Sequence, residues 1–341
     1  MFKSIERRIL AIQPARRCFW VTCQFFVVVA IIGCAGTKGP MVPMARIEGA
    51  KRPYFAGQIL APTHNLTLTY SELVNRLSRC NIVFIGEVHD NPDHHLIQLQ
   101  LLQSLRERWG HLTLAVEFLP AQSQPILNEY LEGDISEQDF LRKVDWPKVW
   151  GFDYHFYRPL VDFQRINGDP ISAINAPHAV VRKVAKNGLK SLSKAERDIL
   201  PKEIDLTDKE HRAYLREVYR SHPHKRVDNF EFFYQAQCVW EETMAENIAR
   251  LISNGINRVV VICGNGHIFR GLGIPKRLLR RIKLPVATVM PFNLGQTTLI
   301  KRDIADYVWL TGRYFPLSNR HKRSAETGEP ENNFDKRETK N

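Results

Sequence analysis

The sequence predicts an α/β protein in which a parallel sheet is flanked by helices and accompanied by a smaller helical subdomain. Three short segments are apolar at successive positions, namely 81–85, 112–116 and 258–263. Strands covered by helices on both faces have this composition, and they belong to parallel sheets. Helical patterns alternate with these segments, and a polar helical stretch interrupts the alternation later in the chain.

The elements follow in a βα order. A helix is predicted from Pro92 to Trp109, because Pro92 suits a first turn and leucines recur at helical spacing. A long helix is predicted from Asp228 to Asn254, with Gly255 as its C-terminal cap. Shorter helices are predicted at 70–79, 123–131 and 137–144, and further strands at 171–174, 286–290 and 297–300.

The two ends of the chain differ from its middle. Basic residues precede an apolar run over 18–33, and the run ends in Ile31-Ile32-Gly33-Cys34, which resembles a bacterial lipobox. We therefore expect 1–33 to be a lipoprotein signal peptide and Cys34 to carry lipid, such as palmitate; an uncleaved signal anchor would export the same domain. The remaining predicted parts are a tether (34–68), a folded domain (69–316) with a helical insertion (about 185–230), and a disordered tail (317–341).

Composition and motifs exclude several functions. The formal net charge is +12, and +8 remains without the predicted leader, so a basic surface could favour anionic lipid or a ligand with carboxylates. Export and the lack of a recognisable binding module argue against nucleic acid. The sequence contains no GxGxxG, Walker or Gly-x-Ser-x-Gly motif, which argues against nucleotide chemistry and serine hydrolysis.

Polar residues stand where four predicted strands end. They are Glu87 with His89, Glu117, Asn175, and His267 in Gly264-Asn265-Gly266-His267. Ligands of parallel sheets bind outside the carboxyl ends of the strands, so these residues are expected to converge. Taken singly, Glu117 could cap a helix and His267 could be a buried structural imidazole. Together, two carboxylates and two imidazoles suit a divalent cation or acid/base chemistry.

A second candidate feature is the aromatic segment 150–159, which contains Tyr154, Tyr157 and Arg158. It could be a packed hydrophobic loop. It could also be the wall for a flat, apolar ligand with two carboxylates, in which Arg158 binds a carboxylate and helps to keep Tyr157 ionised. One of the adjacent His94 and His95 is expected to point at the pocket and the other at solvent.

Six ordered blocks of the sequence resemble the ChaN family of haem-binding lipoproteins: GEVHDNPDHHLIQLQLL, AVEFLPAQSQPILNEYLEGDIS, WGFDYHFYRPL, INAPH, EETMAENIA and VVVICGNGHIFRGLGIP. The resemblance covers about 70–295. It implies an iron-regulated lipoprotein that binds haem at a dimer interface, with a tyrosine on the iron, and serves haem or iron uptake. Glu241 stands where the family has aspartate.

The wider superfamily, with its TIKI metalloproteases and erythromycin esterases, is similar in the Glu87, His89 and Gly264–His267 positions. The preferred interpretation is haem binding by Tyr157, Arg158, His89, His267, Tyr154 and Asn175, with Tyr157 on the iron. The alternative is a metal-dependent hydrolase with Mn or Zn held by Glu87, His89, Glu117 and His267.

The resemblance also implies a cell-envelope location and a haem-uptake receptor or transporter as partner, and it allows a homodimer on haem binding. Ala35, rather than aspartate, follows Cys34, which favours the outer membrane.

Overall fold

The computed structural model describes residues 43–221, 229–295 and 297–312. The predicted signal peptide (1–33), Cys34 and the predicted tail (317–341) lie outside these residues. Within the described residues, no helix has both the length and the apolar composition needed to cross a membrane.

The described strands and helices alternate along much of the chain. The strands are β1 Met44–Ile47, β2 Ile59–Ala61, β3 Leu66–Leu68, β4 Ile82–Glu87, β5 Thr113–Pro120, β6 Ile171–Asn175, β7 Val259–Gly264, β8 Val286–Asn293, β9 Thr297–Ile300 and β10 Tyr307–Thr311. The α-helices are α1 Tyr70–Leu77, α2 Pro92–Trp109, α3 Gln124–Glu132, α4 Glu137–Lys143, α5 Trp146–Val149, α6 Arg158–Asn167, α7 His178–Asn187, α8 Lys194–Asp198, α9 Lys209–Ser221, α10 Phe230–Ser253 and α11 Ile274–Arg281.

The main sheet has the order β3-β2-β10-β8-β4-β7-β5-β6 in the described part of the chain. Strands from β10 to β6 pair in parallel, and β2 and β3 add an antiparallel edge. Alternate residues of β4 enter two different cores, with Val83 on one face and Phe84 on the other. This arrangement explains the unbroken apolar runs and confirms the predicted α/β class with a helix-flanked sheet.

The strands next to the predicted pocket extend further than their apolar runs. β4 continues to Glu87 and β5 continues to Pro120, beyond the predicted ends at 85 and 116. In β4 the final Glu87 pairs in register with Gly264 of β7. The α2 helix has the predicted bounds, and Asn91 caps it by accepting a hydrogen bond from the Asp93 amide at 3.0 Å. Polar residues at these strand ends are therefore part of the sheet itself.

The prediction of a tether over 34–68 is wrong for its described part. β2 pairs with β10, β3 pairs with β2, and β1 pairs in parallel with β9. Ile59, Leu60 and Ala61 are buried, so the folded unit begins well before residue 69. These strands have three or four residues each, and β1 and β2 pair with β9 and β10 near the far end of the chain, so no local periodicity reveals them.

Helices between β6 and β7 form the smaller helical part. The predicted insertion at 185–230 contains α8 and α9 in its described residues. Leu215 of α9 packs with Tyr234 and Cys238 of α10, while α7 packs against the same helix through Val180 and Val184. Helix α10 thus joins the helical part to the sheet, and it carries Glu241 towards the strand ends.

Candidate functional site

The predicted convergence of strand ends is confirmed. β4, β7, β5 and β6 are consecutive in the sheet and parallel, so Glu87, Glu117 and Asn175 lie along one edge with the loop that follows β7. The Gly264 amide donates a hydrogen bond to Glu117 Oε2 at 2.7 Å. The buried Asn175 side chain donates to the Glu117 carbonyl at 2.7 Å, so it supports the backbone of β5.

Glu87 and His89 form one carboxylate–imidazole pair. Glu87 is buried, and its Oε1 accepts hydrogen bonds from His89 Nδ1 at 2.7 Å and from the Tyr157 hydroxyl at 2.8 Å. Its Oε2 accepts from Gln98 Nε2 at 2.7 Å. Burial alone would raise the pKa of Glu87, but the hydrogen bond from His89 and the charge of His95 lower it below its usual value.

The His89 ring is the accessible group of this pair, because 29% of its side chain is exposed. Burial works to lower its pKa, but the hydrogen bond to Glu87 and the charge of Glu117 raise it overall. The Nδ1 atom is engaged by Glu87, whereas the Nε2 atom has no hydrogen-bond partner among the described residues. A histidine that ligates iron or another metal commonly donates a hydrogen bond from its other ring nitrogen to a carboxylate.

Aromatic rings and a glycine surround His89. Trp150 contacts it edge-on with ring centres 4.7 Å apart, and Phe152 lies at 4.8 Å. A Cβ atom added at Gly264 would stand only 3.0 Å from His89 Cε1. The glycine therefore leaves the space in which the imidazole sits against β7.

His267 belongs to a second, deeper cluster. Its Nε2 lies 3.3 Å from Glu117 Oε1, and its Nδ1 lies 3.2 Å from Glu241 Oε1. Burial would lower the pKa of His267, but the two carboxylates raise it to about 10. Burial likewise opposes ionisation of Glu117, yet the charge of His267 lowers the Glu117 pKa to about 2. His267 is thus an imidazolium held between two carboxylates.

Several partners of this cluster were not singled out by sequence reasoning. His211 of α9 lies 3.1 Å from Glu241 Oε2, and the fully buried Arg277 lies 3.6 Å from the same atom. A Cβ atom at Gly273 would approach Glu241 Oε1 to 2.8 Å. The only sequence signal was the acidic residue at 241 in a family block, because these contacts join segments that are far apart in the chain.

The predicted divalent-metal site is not supported. The carboxylates of Glu87 and Glu117 are already engaged by protein groups, and both nitrogens of His267 face carboxylates. Among the residues that the structure describes, no group of three or more His, Cys, Asp or Glu side chains is arranged to hold a metal ion. The Mn or Zn alternative therefore lacks a ligand set.

Tyr157 lies close to the pocket but below its surface. It is fully buried, and its hydroxyl donates to Glu87 and, at 3.3 Å, to the His89 carbonyl. Burial and the charge of Glu87 raise the pKa of Tyr157 well above its usual value. The assignment of Tyr157 to haem iron stays a prediction. To bind iron, the Tyr157 hydroxyl would first have to give up its hydrogen bond to Glu87.

Arg158 and Tyr154 point elsewhere. Arg158 Nε donates to Glu137 Oε2 at 2.8 Å, and its guanidinium lies over the Tyr154 ring. Tyr154 is 5% exposed, and burial raises its pKa. The expectation that Arg158 keeps Tyr157 ionised is wrong, because the cation is paired with Glu137.

A different tyrosine lies at the rim. Tyr214 of α9 stacks on Phe269 with ring centres 4.3 Å apart, and its hydroxyl lies beside the exposed Gly266. The polar helical pattern of the insertion gave no sign of this contact.

The prediction that one of His94 and His95 faces solvent is also wrong. His94 and His95 are both buried, with exposed fractions of 0% and 5%.

The fold and the site together define an α/β protein with carboxylate–imidazole pairs at the carboxyl ends of a parallel sheet. Residues 73–278 match the family model described as "Haem-binding uptake, Tiki superfamily, ChaN". The chain belongs to this family.

A solved structure with the same fold is described as cofacial haem binding to ChaN of Campylobacter jejuni. It has a TM-score of 0.59 and 18% identity, and the match covers 74% of this chain and 95% of that one. An erythromycin esterase mutant in its open conformation has a TM-score of 0.43 and 13% identity, with 66% and 73% of the two chains covered.

A curated relative is the chloroplastic protein RETICULATA-RELATED 5 of Arabidopsis thaliana. It is 25% identical over 261 residues, which are 69% of this chain. The match spans 34% of that relative, about one third of its length.

Proposed function

We propose that this protein binds haem at the strand-end pocket, with His89 as the group that faces the iron. The observation that carries the proposal is the His89 ring itself, which is partly exposed, hydrogen-bonded through Nδ1 to buried Glu87, and unpartnered at Nε2. Histidine is a common axial ligand of haem iron, and the carboxylate behind it fixes the ring and its tautomer.

The surroundings of His89 suit a flat aromatic ligand. Trp150 and Phe152 lie within 5 Å of the imidazole, ring centre to ring centre, and both are partly exposed. Aromatic side chains of this kind offer large apolar area to a macrocycle. Family membership supports the same ligand. Tyr157 is the second candidate for the iron, and in the arrangement seen here it instead supports Glu87.

A haemin titration of the metal-free protein tests this assignment. We expect a saturable Soret shift that His89→Ala abolishes. His155→Ala is the matched control, because His155 lies in the neighbouring aromatic segment, is 71% exposed and pairs only with Asp153 among the described residues; it should leave the titration unchanged. Loss of the shift in Tyr157→Phe but not in His89→Ala would transfer the ligand role to Tyr157. A missing shift in the unsubstituted protein would overturn haem binding.

We further propose that the protein is a lipid-anchored member of a bacterial cell envelope, on the outer membrane, that serves haem or iron uptake. The sequence Ile31-Ile32-Gly33-Cys34 and the family's uptake role support this. Cys34→Ser should abolish incorporation of labelled palmitate and release the protein from the membrane fraction. A deletion strain should lose growth on haemin as the iron source while retaining growth on ferric citrate.

The related structure described as cofacial haem binding supports a further proposal, that two copies of this chain meet through bound haem. Sedimentation velocity with and without haemin tests it. A shift from monomer to dimer is expected on loading, together with loss of that shift in His89→Ala. An unchanged sedimentation coefficient in the loaded protein would overturn it.

A further inference from the structure

We infer that His94 and His95 are positioning residues that hold the β4–α2 loop so that His89 faces the pocket. The inference rests on the proposed role of His89. The loop consists of 88–91, between the end of β4 and the start of α2. Both histidines lie on the first turn of α2, and both are buried. They contact the loop backbone, and all four of their ring nitrogens are engaged by protein groups.

His94 binds the peptide group between Glu87 and Val88, one residue before His89. The Val88 amide donates to His94 Nδ1 at 2.9 Å, and the His94 Nε2 atom lies 2.9 Å from Asn293 Oδ1. An amide N–H can only donate, so His94 Nδ1 must be unprotonated and Nε2 must carry the hydrogen. Burial lowers the pKa of His94 to about 4, which agrees with a neutral ring.

Asn293 ties this contact to the sheet. Its Oδ1 also accepts from Asn91 Nδ2 at 2.6 Å and from the Thr311 hydroxyl at 2.8 Å. Asn293 ends β8 and Thr311 ends β10, so His94 links the loop to two strands on the side away from β7. The N-terminal end of the loop is thereby fixed relative to the rigid part of the fold.

His95 binds the peptide group that follows His89. Its Nε2 lies 3.0 Å from the His89 carbonyl oxygen, and its Nδ1 lies 3.1 Å from Gln98 Oε1. Its ring stacks on Phe156 with an interplanar angle of 5°. Gln98 in turn donates to Glu87, the carboxylate that orients His89. The backbone on both sides of His89 is therefore held by two adjacent side chains of one helix.

Two substitutions at His94 separate its two hydrogen bonds. His94→Asn places an oxygen close to the position of Nδ1, so it can still accept from Val88 but cannot reach Asn293. His94→Gln places an amide nitrogen close to the position of Nε2, so it can still donate to Asn293 but cannot accept from Val88. If the Val88 contact positions His89, Asn should preserve haemin affinity, and Gln should weaken it by about tenfold, the equivalent of one hydrogen bond.

Measurements without haem keep this test separate from the proposed function. In the haem-free protein, His94→Gln should accelerate hydrogen exchange at the Val88 amide about tenfold, whereas His94→Asn should leave it protected. The His89 ring resonances should broaden or shift in the Gln variant alone. These readouts decide the positioning role even if the unsubstituted protein binds no haemin. Equal behaviour of the two variants in exchange and in His89 resonances would overturn the inference.

A measurement on the unsubstituted protein covers the case in which a variant fails to fold. Nitrogen-15 NMR should show an unprotonated His94 Nδ1 and a scalar coupling across the hydrogen bond from the Val88 nitrogen to that atom. A protonated Nδ1, or no coupling to Val88, would contradict the arrangement on which the inference depends.

Discussion

The two histidines of the pocket have opposite roles although each is paired with a glutamate. His89 is partly exposed and engages its glutamate through one ring nitrogen, which leaves the other available. His267 is buried and has a carboxylate at each nitrogen, so it is held as a cation. The same residue pair thus leaves one ring nitrogen accessible at the rim and balances charge in the interior. Exposure and the number of carboxylates, and not residue type, distinguish them.

The largest contrast is expected in stability. His267→Ala leaves Glu117 and Glu241 buried without their shared cation, which should lower the free energy of unfolding by about 3–5 kcal/mol. His89→Ala should lower it by about 1 kcal/mol or less, because the ring is partly exposed and Glu87 keeps its bonds from Tyr157 and Gln98. Urea unfolding followed by circular dichroism measures both. Equal losses in the two variants would contradict the contrast.

The pH dependence of stability should be determined by the titration of His267 and Glu117 in the deeper cluster. His267 has a folded-state pKa of about 10 against an ordinary value of 6.5, so its contribution is complete below pH 6.5 and disappears as the pH rises through 10. Glu117 behaves oppositely, with a pKa of about 2 against 4.5, so its contribution exists above pH 4.5 and disappears as the pH falls towards 2.

The unsubstituted protein should therefore lose stability between pH 7 and 10. His267→Gln should be less stable throughout and flatter over that interval, while His89→Ala should retain the decline. Urea midpoints measured across the interval provide the comparison. A slope in His267→Gln as steep as in the unsubstituted protein would assign the decline to another group.

At the rim, Glu87→Gln should act on ligand binding more than on stability. The substitution removes the charge that orients and polarises His89 while it preserves the shape of the side chain. Removal of such a carboxylate partner typically weakens ligation about 10–100-fold, so the haemin dissociation constant should rise within that range. An unchanged dissociation constant, measured by Soret titration, would show that Glu87 only supports the fold.

The smallest effect concerns the glycines at the C-terminal end of β7. Gly264→Ala would place a Cβ atom 3.0 Å from His89 Cε1, which should tilt the imidazole and weaken haemin binding by a few-fold, about 1 kcal/mol. Gly266→Ala is the matched control, because its Cβ atom would meet the Tyr214 hydroxyl at an ordinary 3.6 Å. If both variants bind haemin equally well, the space beside His89 is not limiting.

Local patterns in the sequence were sufficient for the framework of the pocket. The apolar runs place Glu87, Glu117 and His267 at strand ends, and a parallel sheet brings these ends together. Patterns could not show which groups pair. The contacts of Glu241 with His267 and Arg277 join a helix to a distant loop and helix, and each depends on packing. The burial of Tyr157 was missed for the same reason, since a tyrosine in an aromatic block suits a wall or a core equally well.

The edge strands determine where a protein fragment for experiments can begin and end. The region that matches the family model ends at 278 and begins at 73, so it excludes β1–β3 and β8–β10. β3, β2, β10 and β8 make up half of the eight strands of the main sheet in the described chain. A fragment cut at the limits of the match would expose one side of β4 as an unpaired hydrogen-bonding edge, and it would also lack Asn293 and Thr311 beneath the His89 loop. Such a fragment is expected to aggregate, so binding work requires the segment from 43 to 312.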